Sequence, residues 1–287
     1  MWIFYALTSA LFAGAVSILA KIGIKSTDSN LATALRTIVV LIFSWLMVFI
    51  VGSHKTIADI NLKSIVFLVL SGIATGGSWL CYFRALQIGD VNKVVPVDKS
   101  STVLTMLLSF LLLSEDLTWF KAAALVLIGI GTYLMIERKA AATNTKTGYK
   151  WLIFASLSAI FASLTSILGK VGIKGVESNL GTAIRTIVVL IMAWLIVLLQ
   201  GKQREIKNID KRSRIFIGLS GIATGLSWLC FYRALQEGPV SVVVPIDKLS
   251  ILVTVVFSYF ILHEKLSKKS LAGLIIIVAG TLSLVFL

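Results

Sequence analysis

The chain repeats itself at a fixed distance. Val94-Val95-Pro96-Val97-Asp98-Lys99-Ser100-Ser101 returns as Val243-Val244-Pro245-Ile246-Asp247-Lys248-Leu249-Ser250, a separation of 245 − 96 = 149 residues. The same offset carries Lys21-Ile22-Gly23-Ile24-Lys25 onto Lys170-Val171-Gly172-Ile173-Lys174. It also carries Ser71 to Gly76 onto Ser220 to Gly225, Ser78-Trp79-Leu80-Cys81 onto Ser227-Trp228-Leu229-Cys230, and Arg84-Ala85-Leu86 onto Arg233-Ala234-Leu235. No gap is needed from Lys21 to beyond Glu115, the counterpart of Glu264. Self-similarity kept in register over such a length is the mark of one duplicated unit.

The unit belongs in a membrane. The chain is 57% hydrophobic and 14% charged, with mean hydropathy +0.96, where soluble domains carry roughly 25% charged residues. Apolar runs long enough to span recur from end to end. They are expected at Trp2–Ile24, Asn30–Val51, Leu62–Gln87, Val91–Leu113 and Thr118–Ile136, then Tyr149–Ile173, Asn179–Leu199, Ser213–Gln236, Val240–Leu262 and Lys268–Leu287. The first run lacks a basic leader and a small-residue cleavage site and is repeated inside the chain, so it reads as a span and not as a removable signal peptide. The net charge of +14 sits largely in short loops. There it signals topology and not nucleic acid. Cys81 and Cys230 occupy equivalent apolar positions with no CxxC or His partner, so no disulfide, metal site or cofactor is expected.

Five spans per unit is an odd number, so the second copy enters the membrane from the opposite side. The expected fold is an all-α integral membrane protein of ten transmembrane helices in two inverted-topology five-helix repeats. These are residues 1–137 and 149–287, joined by a linker at 138–148. Inverted repeats set equivalent surfaces on opposite faces around a site near the midplane, the geometry of alternating access. The basic residues of the linker (Arg138, Lys139, Lys146, Lys150), of the loop after the seventh span (Lys202, Arg204, Lys207, Lys211, Arg212, Arg214) and of the ninth-to-tenth connection (Lys265, Lys268, Lys269) fall on one side by parity. The positive-inside rule makes that side cytoplasmic and puts both termini outside.

The chain resembles the drug/metabolite transporter superfamily, of the EamA type, over essentially its whole length. The resemblance rests on the five-plus-five organisation, the aromatic-x-x-Ala-Leu endings Tyr82 to Leu86 and Phe231 to Leu235, and the prolines Pro96 and Pro245. It rests also on the turns Glu115-Asp116-Leu117 and Glu264-Lys265-Leu266, each followed by a Gly-rich span. It implies secondary transport of a small metabolite, with no ATP site and no covalent chemistry. The third, fourth, eighth and ninth spans would be the moving arms, and both termini would be cytoplasmic, against the charge count. The Asp-Lys pair after each proline departs from the loose family pattern, so its role has to come from its own chemistry.

Ser71, Thr75, Ser78, Trp79 and Tyr82 fall on one helical stripe, repeated by Ser220, Thr224, Ser227, Trp228 and Phe231. Hydroxyls beside aromatic bodies suit a cavity wall, which makes Thr75, Trp79, Tyr82, Thr224, Trp228 and Phe231 candidate substrate contacts. Small residues at Gly72/Gly76 and Gly221/Gly225 equally suit close helix packing. The duplicated pair opens three readings. Asp98 and Asp247 could be gates that bridge Arg84, Arg36, Arg233 or Arg185 on a closed face. Lys99 and Lys248 could face the cavity and hold an anionic group. Or these charges could be helix-end residues that snorkel; Arg36 and Arg185, near their span ends, could likewise snorkel or form a structural tie between the first two spans of a unit. Glu115 and Glu264 read as loop-capping acids. No acid lies near the middle of the first or sixth span, which weighs against a proton-coupled exporter of cations. No intramembrane His and no nucleophile beside a base supports an enzyme. A carrier of small anionic or zwitterionic metabolites is expected, a channel being the other transport reading and a multidrug exporter of the same superfamily a further one. Its partners are the solute and membrane lipid, without nucleic acid, and a monomer suffices although a dimer is possible.

Overall fold

A computed structural model describes residues 1–23, 27–88, 94, 97–135, 150–262 and 267–286. Pro96, Glu264, Lys265 and the linker 138–148 lie outside the described residues. Among the described residues every regular element is helical. The helices are α1 Trp2–Gly23, α2 Ser29–Val51, α3 Leu62–Ile88, α4 Ser101–Leu112, α5 Trp119–Met135, α6 Lys150–Gly172, α7 Ser178–Leu199, α8 Lys211–Glu237, α9 Val240–Lys248, α10 Ser250–Leu262 and α11 Lys268–Phe286.

Local chemistry fixes the helix ends, and it does so twice. Asp28 accepts from the backbone N–H of Asn30 (2.9 Å) and Leu31 (3.1 Å) to cap α2. Its counterpart Glu177 accepts from Leu180 N–H (3.0 Å) to cap α7. Asn61 and Asp210 do the same for Ser64 and Ser213, at 2.7 and 3.0 Å. These caps satisfy amides that the first turn leaves without partners. α2 is followed by Gly52 at φ 79° and α7 by Gly201 at φ 68°. Both glycines take the left-handed conformation that ends a helix without a Cβ penalty, and each leads into a seven-residue 3-10 turn.

Among the described residues, eight helical stretches are long and apolar enough to cross a membrane. The fourth and fifth expected spans are shorter as described: α4 has 12 residues and α5 has 17. Residues 91–100 of the expected fourth span precede α4, and half of them lie outside the described ones. The bundle is inside-out relative to a soluble protein. Large apolar side chains such as Ile42, Leu111, Trp119, Leu199 and Phe260 face outward. The buried polar residues among those described are serines and threonines, together with Arg185. This is the pattern expected where lipid is the solvent and hydroxyls can bond to backbone carbonyls.

The halves do not pack as two separate bundles. The heaviest packing pairs are α3 with α6, α1 with α8, α5 with α11 and α2 with α7, all of them between halves. Glycines make this approach possible. A Cβ on Gly72 would meet Val188 Cβ at 2.7 Å, and one on Gly221 would meet Val39 Cβ at 2.7 Å. Gly76 and Gly225 sit equally tightly against Met192 and Phe43. Of the two roles open to these four glycines, the structure shows close packing, of α3 on α7 and of α8 on α2.

Candidate functional site

The stripe on α8 and its counterpart on α3 face one cavity of about 380 Å³ between the halves. α3 contributes Thr75, Ser78 and Trp79, and α8 contributes Thr224, Ser227, Trp228, Phe231 and Tyr232. Small residues of α1 and α6 complete the wall. Charge enters from Arg36 on α2, Arg185 on α7, and Asp247 and Lys248 on α9, three bases to one acid. Among the expected site residues, Tyr82, Lys99, Asp98, Arg84 and Arg233 do not line this cavity. Tyr82 packs against the buried cluster of Ala85, Val94 and Ala155. Lys99 and Arg84 are exposed. Arg233 lies 2.7 Å from Glu237 on its own helix, although its Nε–H is not aligned as a hydrogen bond, and it sits over the Tyr5 ring at 5.9 Å.

The Asp-Lys pair lies at a helix break. Asp247 and Lys248 end α9, and the helix is interrupted at Leu249 before α10 begins. Pro245 lies inside α9. Its missing N–H and its ring weaken the helix at this level. Asp98 and Lys99 likewise precede the start of α4 at Ser101. The acids are held by serines of the opposite half. Ser9 Oγ on α1 donates to Asp247 Oδ1 (2.7 Å) and lies 3.2 Å from Ser227 Oγ. Ser158 Oγ on α6 lies 2.7 Å from Asp98 Oδ1 and 3.3 Å from Ser78 Oγ. These contacts are related by the offset of 149. The first and sixth spans lack an acid of their own, yet each meets one from across the interface. Neither serine was singled out from sequence. The available signal was that Ser9 and Ser158 share the offset and lie in otherwise apolar runs.

Arg185 also corrects the sequence reading. It is not a snorkelling helix-end residue but is 2% exposed. Its Nε donates to Ser71 Oγ (3.0 Å) and its Nη2 to Thr75 Oγ1. Its guanidinium lies 5.0 Å from the Trp228 ring centre and 4.8 Å from that of Tyr232. A planar, weakly hydrated cation is the one best suited to such surroundings. Tyr232, fully buried against Gly169, escaped notice because its counterpart is Phe83. Arg36, the twin of Arg185, is half-buried at the cavity, and no hydrogen bond to Ser220 or Thr224 is formed among the described residues.

One end of the interface is fastened by charge on helix termini. Glu115, in the turn after α4, accepts from Val240 N–H (2.6 Å) and Ser241 N–H (2.9 Å) at the start of α9. It is a cap, as its loop position suggested, but for a helix of the other half. The Lys170 ammonium donates to the carbonyls of Leu235 and Gly238 at the end of α8, the latter at 2.8 Å. Gln236 returns to the carbonyls of Ile173 (3.0 Å) and Val176 (2.6 Å). An anion at a helix N-terminus and a cation at a C-terminus are both stabilised by the helix dipole.

Known proteins share these features. The model of the EamA-like transporter family matches residues 1–137 and again 149–286. An uncharacterized transporter encoded beside cobO in a Sinorhizobium species is 42% identical over 134 residues. That match takes in 47% of this chain and 95% of the relative. An uncharacterized protein of Methanocaldococcus jannaschii is 27% identical over 133 residues, covering 46% of this chain and 94% of its own. A solved crystal structure with 15% identity superposes with a TM-score of 0.81 over 99% of this chain and 98% of the other. At that identity the likeness is one of fold.

Proposed function

Because the chain belongs to the EamA-like transporter family, we propose that it is a secondary transporter that carries a small anionic or zwitterionic metabolite by alternating access. It is a multi-pass membrane protein and a transporter, not an enzyme. Ten spans in two inverted five-helix repeats enclose the path, with helices three and four and helices eight and nine as gates. The protein sits in the cell membrane with its basic loops in the cytoplasm and both termini outside. A monomer contains the whole path.

The observation that carries this reading is the cavity between the halves, where three basic side chains meet one acid beside two tryptophans. Such a lining attracts an anion and gives it an apolar bed. Relatives matched almost end to end by less than half of this chain support duplication of a self-sufficient unit. The Glu115 clamp on α9 supports one face being held shut by contacts between halves.

Counterflow in sealed proteoliposomes tests the mechanism. Vesicles are loaded with labelled small organic acids and amino acids. An external excess of the unlabelled substrate should speed efflux of that label. Efflux indifferent to the external solute would identify a pore and overturn alternating access. Single cysteines at Asn61 and Asp210 test inversion: an impermeant thiol reagent should reach them from opposite sides, and labelling from one side would end the inverted-repeat reading.

A further inference from the structure

The transporter reading above leaves open which group of the solute the cavity holds, and by what. Arg185 is the one fully buried charge among the described residues. Buried cations are costly unless paired with an anion and hydrogen-bonded. Arg185 has the hydrogen bonds but not the anion. Ser71 and Thr75 take its Nε and Nη2, two groups that share one edge of the guanidinium. Trp228 and Tyr232 lie within 5.0 Å of its central carbon. Arg185 lines the cavity, and its Nη1 group is buried with no hydrogen-bond partner among the described residues. No ion pair to Arg185 is formed among the described residues. What remains free is the end-on edge, where Nη1 and the second N–H of Nη2 point side by side. Two parallel N–H groups match the two oxygens of a carboxylate.

We infer that Arg185 is the anchor for the substrate, holding a carboxylate end-on while the organic body of the solute rests against Trp79, Trp228 and Phe231. The substrate class is then organic acids with a flat or apolar body. The anchoring cation is the arginine of α7, not the lysine of the duplicated pair. The hydroxyls of Ser71 and Thr75 aim the guanidinium and fill the edge that the ligand does not use. Arg36 has no such seat, so binding is one-sided although the residues are duplicated.

Quenching of tryptophan fluorescence in the purified full-length protein tests this directly, with benzoate as probe, benzamide as its neutral isostere and phenylphosphonate as the alternative anion. Benzoate should quench saturably, and benzamide should bind at least about tenfold more weakly, the loss expected when a charge-assisted hydrogen bond is removed. Arg185→Gln should weaken benzoate by more than about tenfold, and Arg185→Lys should recover only part of it, since an ammonium has no fork. Arg36→Gln and Lys248→Gln remove cavity charge without removing a direct contact, so each should weaken benzoate, but by less than Arg185→Gln does. Ser71→Ala keeps the charge and the cavity and loosens the aim, so an intermediate loss is expected even if Arg185→Gln does not fold. Equal binding of benzamide, tighter binding of phenylphosphonate, unchanged affinity in both Arg185→Gln and Ser71→Ala, or no benzoate binding at all would each overturn the assignment. Failure of the transport reading looks different: benzoate would bind and depend on Arg185, yet show no counterflow across sealed vesicles.

Discussion

Arg36 and Arg185 hold the same place in two copies of one unit, each between an identical Leu-x-Thr-Ala-like approach and a Thr-Ile-Val-Val run, and they sit differently. Arg185 is sealed between two rings and two hydroxyls, whereas Arg36 is half-buried at the cavity. Ser9 and Ser158 are also twins, and they sit alike, each 2.7 Å from an acid of the other half. Near-identical sequence therefore yields both matched and unmatched surroundings within one molecule. If a carrier alternates by exchanging the states of its halves, the matched contacts are the ones kept through the cycle and the unmatched contacts are the ones that change.

Paired substitutions can break that division. The largest effect is expected at the glycine contacts, which match. Gly72→Val and Gly221→Val should each destabilise the protein by about 1–3 kcal/mol through overpacking, lowering the thermal midpoint equally. A large difference between the two would show that the interfaces are not equivalent. Next comes the clamp. Glu115→Gln should cost about 1–2 kcal/mol as a lost charged helix cap. It should also raise the labelling rate of a cysteine placed at Ser241, and unchanged labelling would mean the clamp does not hold that face shut. A smaller and equal loss, about 1 kcal/mol for one hydrogen bond, is expected for Ser9→Ala and Ser158→Ala. If only one of them slows counterflow, the serine contacts belong with the parts that change.

The smallest effect concerns a surface pair with no counterpart. Lys202 donates to Glu205 at 2.6 Å, and this hydrogen bond raises the lysine pKa. A raised folded pKa adds stability that is present below the unfolded value of about 10.4 and is lost as pH climbs through the folded one. Lys202→Ala should therefore lower the thermal midpoint by the same small amount at every pH from 6 to 9. A midpoint in the parent protein that falls across this window through Lys202 would contradict it.

Much of the site was legible before any coordinates. Trp79, Thr75, Trp228, Phe231 and Thr224 were found because helical spacing sorts residues by face, and the cavity is bounded by faces. Arg36, Arg185, Asp247 and Lys248 were found because charge is rare in an apolar chain. Their surroundings were not legible. Asp98 was matched with arginines by side of membrane, but its neighbour is Ser158, sixty residues away and indistinguishable in sequence from other small residues. Helical phase assigns Tyr82 to the cavity and the duplicated pair assigns Lys99, but Lys99 is exposed and Tyr82 packs against the cluster of Ala85, Val94 and Ala155.

The amino-acid sequence determined the helices, their caps, the membrane class and the duplication, because periodicity, turn chemistry and an unbroken offset are properties of the linear chain. Tertiary structure decided that each half seats its helices mainly on the other, so that serines of one half hold the acids of the next and Glu115 caps α9. It also decided that only one of two twin arginines is enclosed. The physical reason is that burial and hydrogen-bond satisfaction are set by whichever helix lies opposite. Between copies of the same unit, residue order alone carries no record of that choice.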